Sequence, residues 1–578
     1  MNFADADPAL RPLLDSVLTP ADRMRVEPYL AELGAVAAGE LDELAATADR
    51  NPPVLRQYAP DGTRIDEVEH HPAYHRMCQL AFDHFSLAAM SHRPGVLGWP
   101  TRVPHVVKYA LSYLFVQAEF GVACPLSMTD SAARVLRMFD PDTFAAEIDA
   151  LSATDSDARA TGAMFMTERQ GGTDIALTAT TATDHGTHWT LRGHKWFCSN
   201  VTAGVILTLA RVPGQGEGSR GLGMFLVPRL RPDGSRNSYR IERLKDKLGT
   251  RSMASGEVSL DDAFARPVGE PRRGFVQMAE MLNVSRLSNA MRSTALMRRA
   301  VLESVRHTRQ RVVFGKALFD QPLMRATLLP MMLDAEAALG LVLEAATQLD
   351  RADAGDDRAR SLVRILTPLA KHTVCKQARR VTGEAMEIRG GNGYIEDWVN
   401  PRLLRDAHLG SIWEGSSNVI ALDVLRCMSR DRAHHTLAGS YLARLDGLRD
   451  PDAQPAARLL TARWERLREA GDRLLAADLE HREAAMGDHA DTLCRTVMAT
   501  LLLEQACREA GAGRGHRKLL LAHAYLPQLE AHSPVPAPPV LVALDAIADG
   551  GHVPPALARA AFEAIEPAGA VPASSSGS

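Results

Sequence analysis

The sequence predicts an α+β protein, mainly α, with helices and strands segregated into blocks. Three observations lead there. Helical periodicity without strand patterning runs to about residue 160. Short runs rich in β-branched and aromatic residues, broken by Gly, Pro, Asp and Asn, then occupy 161–268. Helical spacing returns at Gly274 and continues, with breaks, well past residue 430.

Taken in order, 1–160 reads as an N-terminal helical domain. Its stretch 111–115, with Phe120 and the following VACPLSM, is apolar enough to be buried, and Ser127 and Thr129 are candidate helix caps. Within 161–268 the runs 163–165, 188–192, 205–211, 223–227, 239–243 and 256–260 suggest a small antiparallel β domain. From 269 to 430, apolar spacing along 291–301 and 323–343 fits the helices of a packed bundle. A further helical domain is expected over 431–565, containing the Pro-rich link HSPVPAPPV and a last short helix. The tail 566–578 is expected to be disordered. No internal repeat is evident.

Composition narrows the class. The chain has 578 residues, 46% hydrophobic and 24% charged, as in ordinary globular proteins. A net charge of −4 gives no general reason to expect nucleic-acid or membrane binding. The first residues, MNFADADPAL, lack the pattern of a secretory signal, and no run of about 18 apolar residues suggests a membrane span. Seven scattered cysteines without CxxC or His pairing argue for reduced core thiols in a cytoplasm and against a structural zinc site.

Four stretches carry chemistry. The first, 389–418, reads RGGNGYIEDWVNPRLLRDAHLGSIWEGSSN. Gly390, Gly391 and Gly393 permit close backbone approach or positive φ, and the following residues read as a helix with one buried stripe. Glu414 then stands between Trp413 and Gly415. An acid there is either a surface or capping glutamate, or a general base whose pKa is raised by an apolar pocket. The second stretch, 166–174 (MTERQGGTD), is a glycine loop with Thr and Asp, either an ordinary turn or a cradle for a polar ring edge. In the third, GHKWFCSN at 193–200, an aromatic pair precedes a hydroxyl residue on a strand. The fourth, RQRVVFGK at 309–316 followed by Gln321, ends a helix at a glycine with basic residues near its C-terminus.

These stretches, in this order, resemble the acyl-CoA dehydrogenase flavoprotein family over about residues 70–430. The resemblance implies an N-terminal helical domain, a middle β domain and a C-terminal four-helix bundle around non-covalent FAD. It makes Glu414 the base that removes the α-proton of a thioester. Met164, Met166, Thr167 and Thr173 would hold the flavin edge, with Arg169 departing from the family's proline. Phe197 would cover the ring, with Ser199 bonding near its reactive nitrogen and Cys198 beside them. Arg311, Phe314 and Gln321 would bind the pyrophosphate and adenine across a dimer interface, with Arg389, Gly390 and Gly391 meeting the neighbouring subunit's flavin. Ser416 and Asn418 complete the expected cofactor set. Some members place the base on an earlier helix beside an Arg; that position here holds Ser285, which cannot replace a carboxylate.

The segments MTERQGGTDI, GHKWFCSN, RLKDKLGTRSMASGEV and SIWEGSSNVIALDVLR look most like the AidB-type, alkylation-response branch. The helical region past 430 agrees. In that branch a basic C-terminal domain is associated with DNA, yet residues 430–578 hold 16 Lys+Arg against 19 Asp+Glu, or −3. Arg458, Arg463, Arg466 and Arg473 recur at helical spacing and 513–518 (GRGHRK) is a basic loop, but interleaved acids favour ion-paired helices. The first expectation is therefore an FAD-dependent acyl-CoA dehydrogenase acting on acyl thioesters. It would be a homo-oligomer, a dimer of dimers, with an electron-transfer flavoprotein as electron acceptor. The alternatives are a DNA-associated flavoprotein with weak dehydrogenase activity, or an oxygen-using oxidase or monooxygenase.

Overall fold

In a computed structural model, residues 1–529, 546 and 554–557 are described. The Pro-rich link, the last short helix and the tail expected beyond them lie outside that set.

The N-terminal region is built around two buried helices, His105–Val116 and Ala123–Phe139. Ser127 and Thr129 lie inside the second rather than capping it, because the helix starts at Ala123. Thr129 Oγ1 donates to Pro125 O (2.6 Å) and accepts from Gly162 N (2.9 Å), tying the helix to the first strand of the middle domain. The region also contains a hairpin that periodicity did not predict: β1 (Val54–Tyr58) pairs antiparallel with β2 (Arg64–Glu69). Five of its eleven strand residues are charged and most are half-exposed or exposed, so no clean apolar alternation marks it. Fully buried Asp66 anchors it through Arg64 (3.0 Å) and Arg236 (2.7 Å).

Seven strands form the middle domain: β3 (Gly162–Phe165), β4 (Thr181–Asp184), β5 (Trp189–Ser199), β6 (Val205–Arg211), β7 (Leu222–Pro228), β8 (Tyr239–Leu244) and β9 (Ser255–Pro267). The order β6-β4-β5-β9-β7 returns to β6, so the pairings close on themselves, with β3 on β6 and β8 on β9. The sheet is not wholly antiparallel as expected. β3 and β4 both join β6 in parallel, sharing its one free edge at opposite ends. A core of its own, including Phe165, Leu191, Cys198, Ile206 and Phe225, fills the interior.

A hairpin, β10 (Val312–Val313) with β11 (Lys316–Ala317), separates the first two of four bundle helices. These are Gly274–Gln310, Pro322–Asp353, Asp357–Ile388 and Ser417–Asp431. By length and hydropathy (1.6) Pro322–Asp353 could cross a membrane, contrary to the expectation that no run does; 72% of that apolar window is buried in the protein. Beyond the bundle, helices Ala433–Asp446, Gln454–Ala476, Leu479–Gly511 and Arg517–Tyr525 share its hydrophobic core. Bundle residues Glu344 and Glu336 pair with Arg444 (2.5 Å) and Arg517 (2.6 Å), fastening this addition in place.

Candidate active site

Glu414 sits on a turn between helices Asn400–Gly410 and Ser417–Asp431. Its φ is +59° and that of Gly415 is +101°. A glutamate in the left-handed region costs about 1–3 kcal/mol and persists only where its surroundings hold it. Here they do. Arg286 Nε donates to Glu414 O (3.0 Å), Lys371 Nζ donates to Gly415 O, and Trp413 Nε1 donates to Asn289 Oδ1 (2.7 Å). Arg286 is itself held by Asp423 (2.7 Å), which also takes Arg364 (2.7 Å). Trp413 stacks on Phe120 of the N-terminal region, ring centroids 5.6 Å apart.

This scaffold aims the Glu414 side chain inward. The residue as a whole is half-buried, but Oε2 is shut away from solvent without a hydrogen-bond partner. Burial pushes the carboxyl pKa up, partly offset by the Ser285 hydroxyl and the charges of Arg292, Arg286 and Lys371. Lys371, buried beside it, is pushed down to about 8, mainly by desolvation. A carboxyl with one unmatched oxygen and a raised proton affinity is suited to take a proton from carbon.

Three parts of the chain meet here. Cys124, from the N-terminal region, feels the charge of Glu414 and the hydroxyl of Ser199 on β5, and burial pushes its thiol up to about 11. Ser199 also lies 3.0 Å from Ser255 Oγ. Phe197, two residues back on the same strand face, is 57% exposed, and Lys245 lies over Trp196 (3.4 Å to the centroid) and Phe197 (5.0 Å). An uncovered aromatic beside a hydroxyl, next to a recessed carboxylate, fits one face of a flat cofactor such as a flavin. Cys198 departs from expectation. It points the other way, fully buried in the core of the β domain, because successive strand residues alternate faces.

The loop after β3 is pinned by a residue that motif reading passed over. Glu168, buried, accepts from Lys195 Nζ (2.8 Å), Thr180 Oγ1 (2.5 Å) and Ala179 N (2.7 Å). Lys195 and Thr180 hold its carboxyl below the usual range against the pull of burial. Thr167 O accepts from Trp196 N (2.8 Å), joining the loop to the aromatic pair. Met164 and Thr167 are half-buried, Met166 is buried, and Thr173 is exposed.

The remaining expected cofactor residues are at the surface of the single chain. Phe314 is 99% exposed at φ +48°, Arg311 is exposed, and Gln321 Nε2 donates to Val313 O (3.1 Å). Gly390 and Gly391 are exposed, as are Ser416 and Asn418. Arg389 differs: it is buried, paired with Glu303 (2.8 Å) and lying over Trp398 (4.3 Å). Of the basic residues expected in the C-terminal region, Arg458, Arg466 and Arg473 are exposed, whereas others are engaged. Arg463 is buried against Thr496 Oγ1 (3.1 Å) and Leu529 O (2.7 Å), Arg514 meets Asp15 (2.7 Å), and Lys518 pairs with Glu336. The cluster His434, His435 and Asp472 has metal-like spacing, with Arg432 on Asp472 at 2.8 Å.

A recessed carboxylate near a β-domain aromatic face is compatible with a flavoprotein dehydrogenase site, and the comparisons with known proteins give the family. Residues 1–158 match the adaptive response protein AidB N-terminal domain, 163–263 the acyl-CoA dehydrogenase middle domain, and 272–429 the acyl-CoA dehydrogenase C-terminal domain. The chain belongs to the acyl-CoA dehydrogenase family of FAD-binding oxidoreductases. Within it, the chain is 36% identical over 434 residues to the putative acyl-CoA dehydrogenase AidB of Escherichia coli, covering 72% of this chain and 77% of that one. It is 35% identical over 436 residues to acyl-CoA dehydrogenase family member 11 of Caenorhabditis elegans, 73% and 70% covered. The crystal structure of Caenorhabditis elegans ACDH-11 in complex with C11-CoA superposes with a TM-score of 0.83 at 30% identity, covering 90% of each chain.

Proposed function

We propose that this protein oxidises an acyl-CoA thioester to its α,β-enoyl product using non-covalently bound FAD. The observation that carries the reading is the strained, three-way-braced turn that presents Glu414 Oε2 unpartnered in a buried site. Glu414 takes the α-proton, and the electron pair of that C–H bond becomes the Cα=Cβ bond as the β-hydride leaves. FAD, when bound, supplies the hydride acceptor. Thr167, Phe197 and Ser199 would hold its ring. The thioester carbonyl gathers charge as the α-proton leaves, and the Glu414 backbone N–H, which donates to no acceptor among the described residues, can meet it.

Support for an acyl-CoA comes from the Caenorhabditis elegans relative, whose structure was solved with C11-CoA. Support for a second copy comes from the surface. Phe314, Val312 and Leu323 around the β10–β11 hairpin, and Tyr394 and Trp398 near the glycine pair, are large apolar side chains left uncovered. A dimer that buried them would bring Arg311 to its partner's cofactor. An electron-transfer flavoprotein would reoxidise the flavin.

The test is anaerobic reduction of the purified holoprotein with acyl-CoAs, read at the flavin's visible band. Wild type bleaches. Glu414→Gln retains FAD and reduces it slower by about 100-fold or more. Equal rates in the two proteins would remove Glu414 from the role of base.

A further inference from the structure

The helix that carries Ser285 presents a second polar group two turns on, Arg292, at the same face. Arg292 is 1% exposed. Four other buried arginines hold carboxylates: Arg299 pairs with Asp42 and Glu303, Arg389 with Glu303, Arg402 with Asp42, and Arg405 with Asp49 and Glu396. Arg292 has no ion pair among the described residues. Its Nε donates to Ser288 O (3.3 Å), its guanidinium lies 4.5 Å from the Trp413 ring centroid and 5.5 Å from that of Phe120, and its Nη1 is buried with no acceptor. Aromatic faces compensate part of the charge but accept none of its N–H groups well. A buried cation in that state is unfavourable until an anion meets it. Glu414 is near enough to feel its charge but is not within ion-pair distance.

A small cavity of about 30 Å³ is lined by Ser288 and Met291 of the same helix, the latter Arg292's neighbour in sequence, and by Tyr109, Ser127, Lys108 and Asp130. Lys108 and Asp130 satisfy each other (2.8 Å), with His92 on Asp130 (2.8 Å). Tyr109 OH and Ser127 Oγ do not: both are buried and unpartnered. Three groups able to donate thus lack acceptors: the Tyr109 and Ser127 hydroxyls in the cavity, and the fixed cation Arg292 on the helix that lines it.

We propose that the substrate's acyl chain carries a carboxylate, and that Arg292, with the Tyr109 and Ser127 hydroxyls, receives it. This rests on the dehydrogenase reading and names the substrate class for that site. A dicarboxylic monothioester delivers two acceptor oxygens to a planar donor pair. A plain alkyl chain there displaces water and leaves the guanidinium bare.

The experiment compares adipyl-CoA with hexanoyl-CoA in anaerobic titration of the full-length holoprotein. The wild type is expected to bleach at about tenfold lower adipyl-CoA concentration. Arg292→Met should erase that preference while keeping FAD content and circular dichroism; Arg292→Lys should keep part of it, and Tyr109→Phe should weaken adipyl-CoA selectively. The proposal is overturned if hexanoyl-CoA bleaches the wild type equally well, if Arg292→Met leaves the preference intact, or if that variant loses FAD. Bleaching by hexanoyl-CoA alone would leave the dehydrogenase reading standing and remove the carboxylate subsite. Bleaching by neither would remove both.

Discussion

At the scale of single residues, the chemistry depends on how proton affinity is set around Glu414. Burial raises its pKa, and only the ionised form can take a proton, so the rate of flavin reduction should rise with pH through that raised pKa. The Ser285 hydroxyl opposes the rise. Ser285→Ala should therefore move the ascending limb to higher pH, measured by stopped-flow reduction across a pH series. An unmoved limb would mean that the hydroxyl does not act on the carboxyl. Asp406 gives a stability counterpart. Buried in the helix before the catalytic turn, it accepts from Thr250 N (2.7 Å), and burial raises its pKa to about 7. Between the ordinary carboxylate range and 7 the folded state holds the extra proton, so this group makes stability fall as pH rises through that window. Each pH unit there is worth about 1.4 kcal/mol. Asp406→Asn keeps an acceptor for Thr250 and should flatten the slope of urea-unfolding stability against pH. Glu414 was legible from its neighbours Trp413 and Gly415. Arg292 was not, because nothing in an arginine's local sequence says whether a carboxylate will fold against it.

Among the elements, the loop between β3 and β4 and the strand β5 act as one unit because Glu168 and Lys195 join them under the surface. The Glu168 and Lys195 side chains are 3% and 0% exposed, respectively, so breaking one half leaves an uncompensated charge. Lys195→Met should cost about 3–5 kcal/mol in urea unfolding and loosen FAD retention, whereas the double change Lys195→Met with Glu168→Gln should recover much of the loss. If single and double variants were equally stable, the pair would not be what pins the loop. In sequence Glu168 read as one letter of a glycine-rich motif. Its partner lies 27 residues on, and pairing at that distance has no periodic signature. The β1–β2 hairpin escaped for a related reason. Its stabilisation comes from buried Asp66 and two arginines, one in the chain's middle domain, rather than from alternating apolar residues.

For the whole molecule, most of the expected cofactor residues divide into two sets, one near the junction of three regions, the other on the surface around the β10–β11 hairpin and the glycine pair; Cys198, in the β-domain core, and Arg389, buried against Glu303, fall in neither. The division is what a dimer-shared cofactor requires. Phe314→Ser and Arg311→Ala should each lower FAD content and shift the oligomer toward monomer, read together by size-exclusion chromatography with detection at protein and flavin wavelengths. Normal flavin content in a monomeric variant would separate the two functions. The C-terminal addition, by contrast, puts many of its charges into binding the bundle, at Glu336 and Glu344 among others. By itself the sequence determined the block order and the presence of a β domain and singled out Glu414 as the candidate base, because periodicity, turn residues and short motifs are local and survive without contacts. Only the tertiary structure decided the closed pairing of the sheet, the face on which Cys198 points, the burial of Arg463 and the isolation of Arg292. Each of these depends on which distant group packs alongside, and whether a buried charge finds its counter-charge is settled by packing alone.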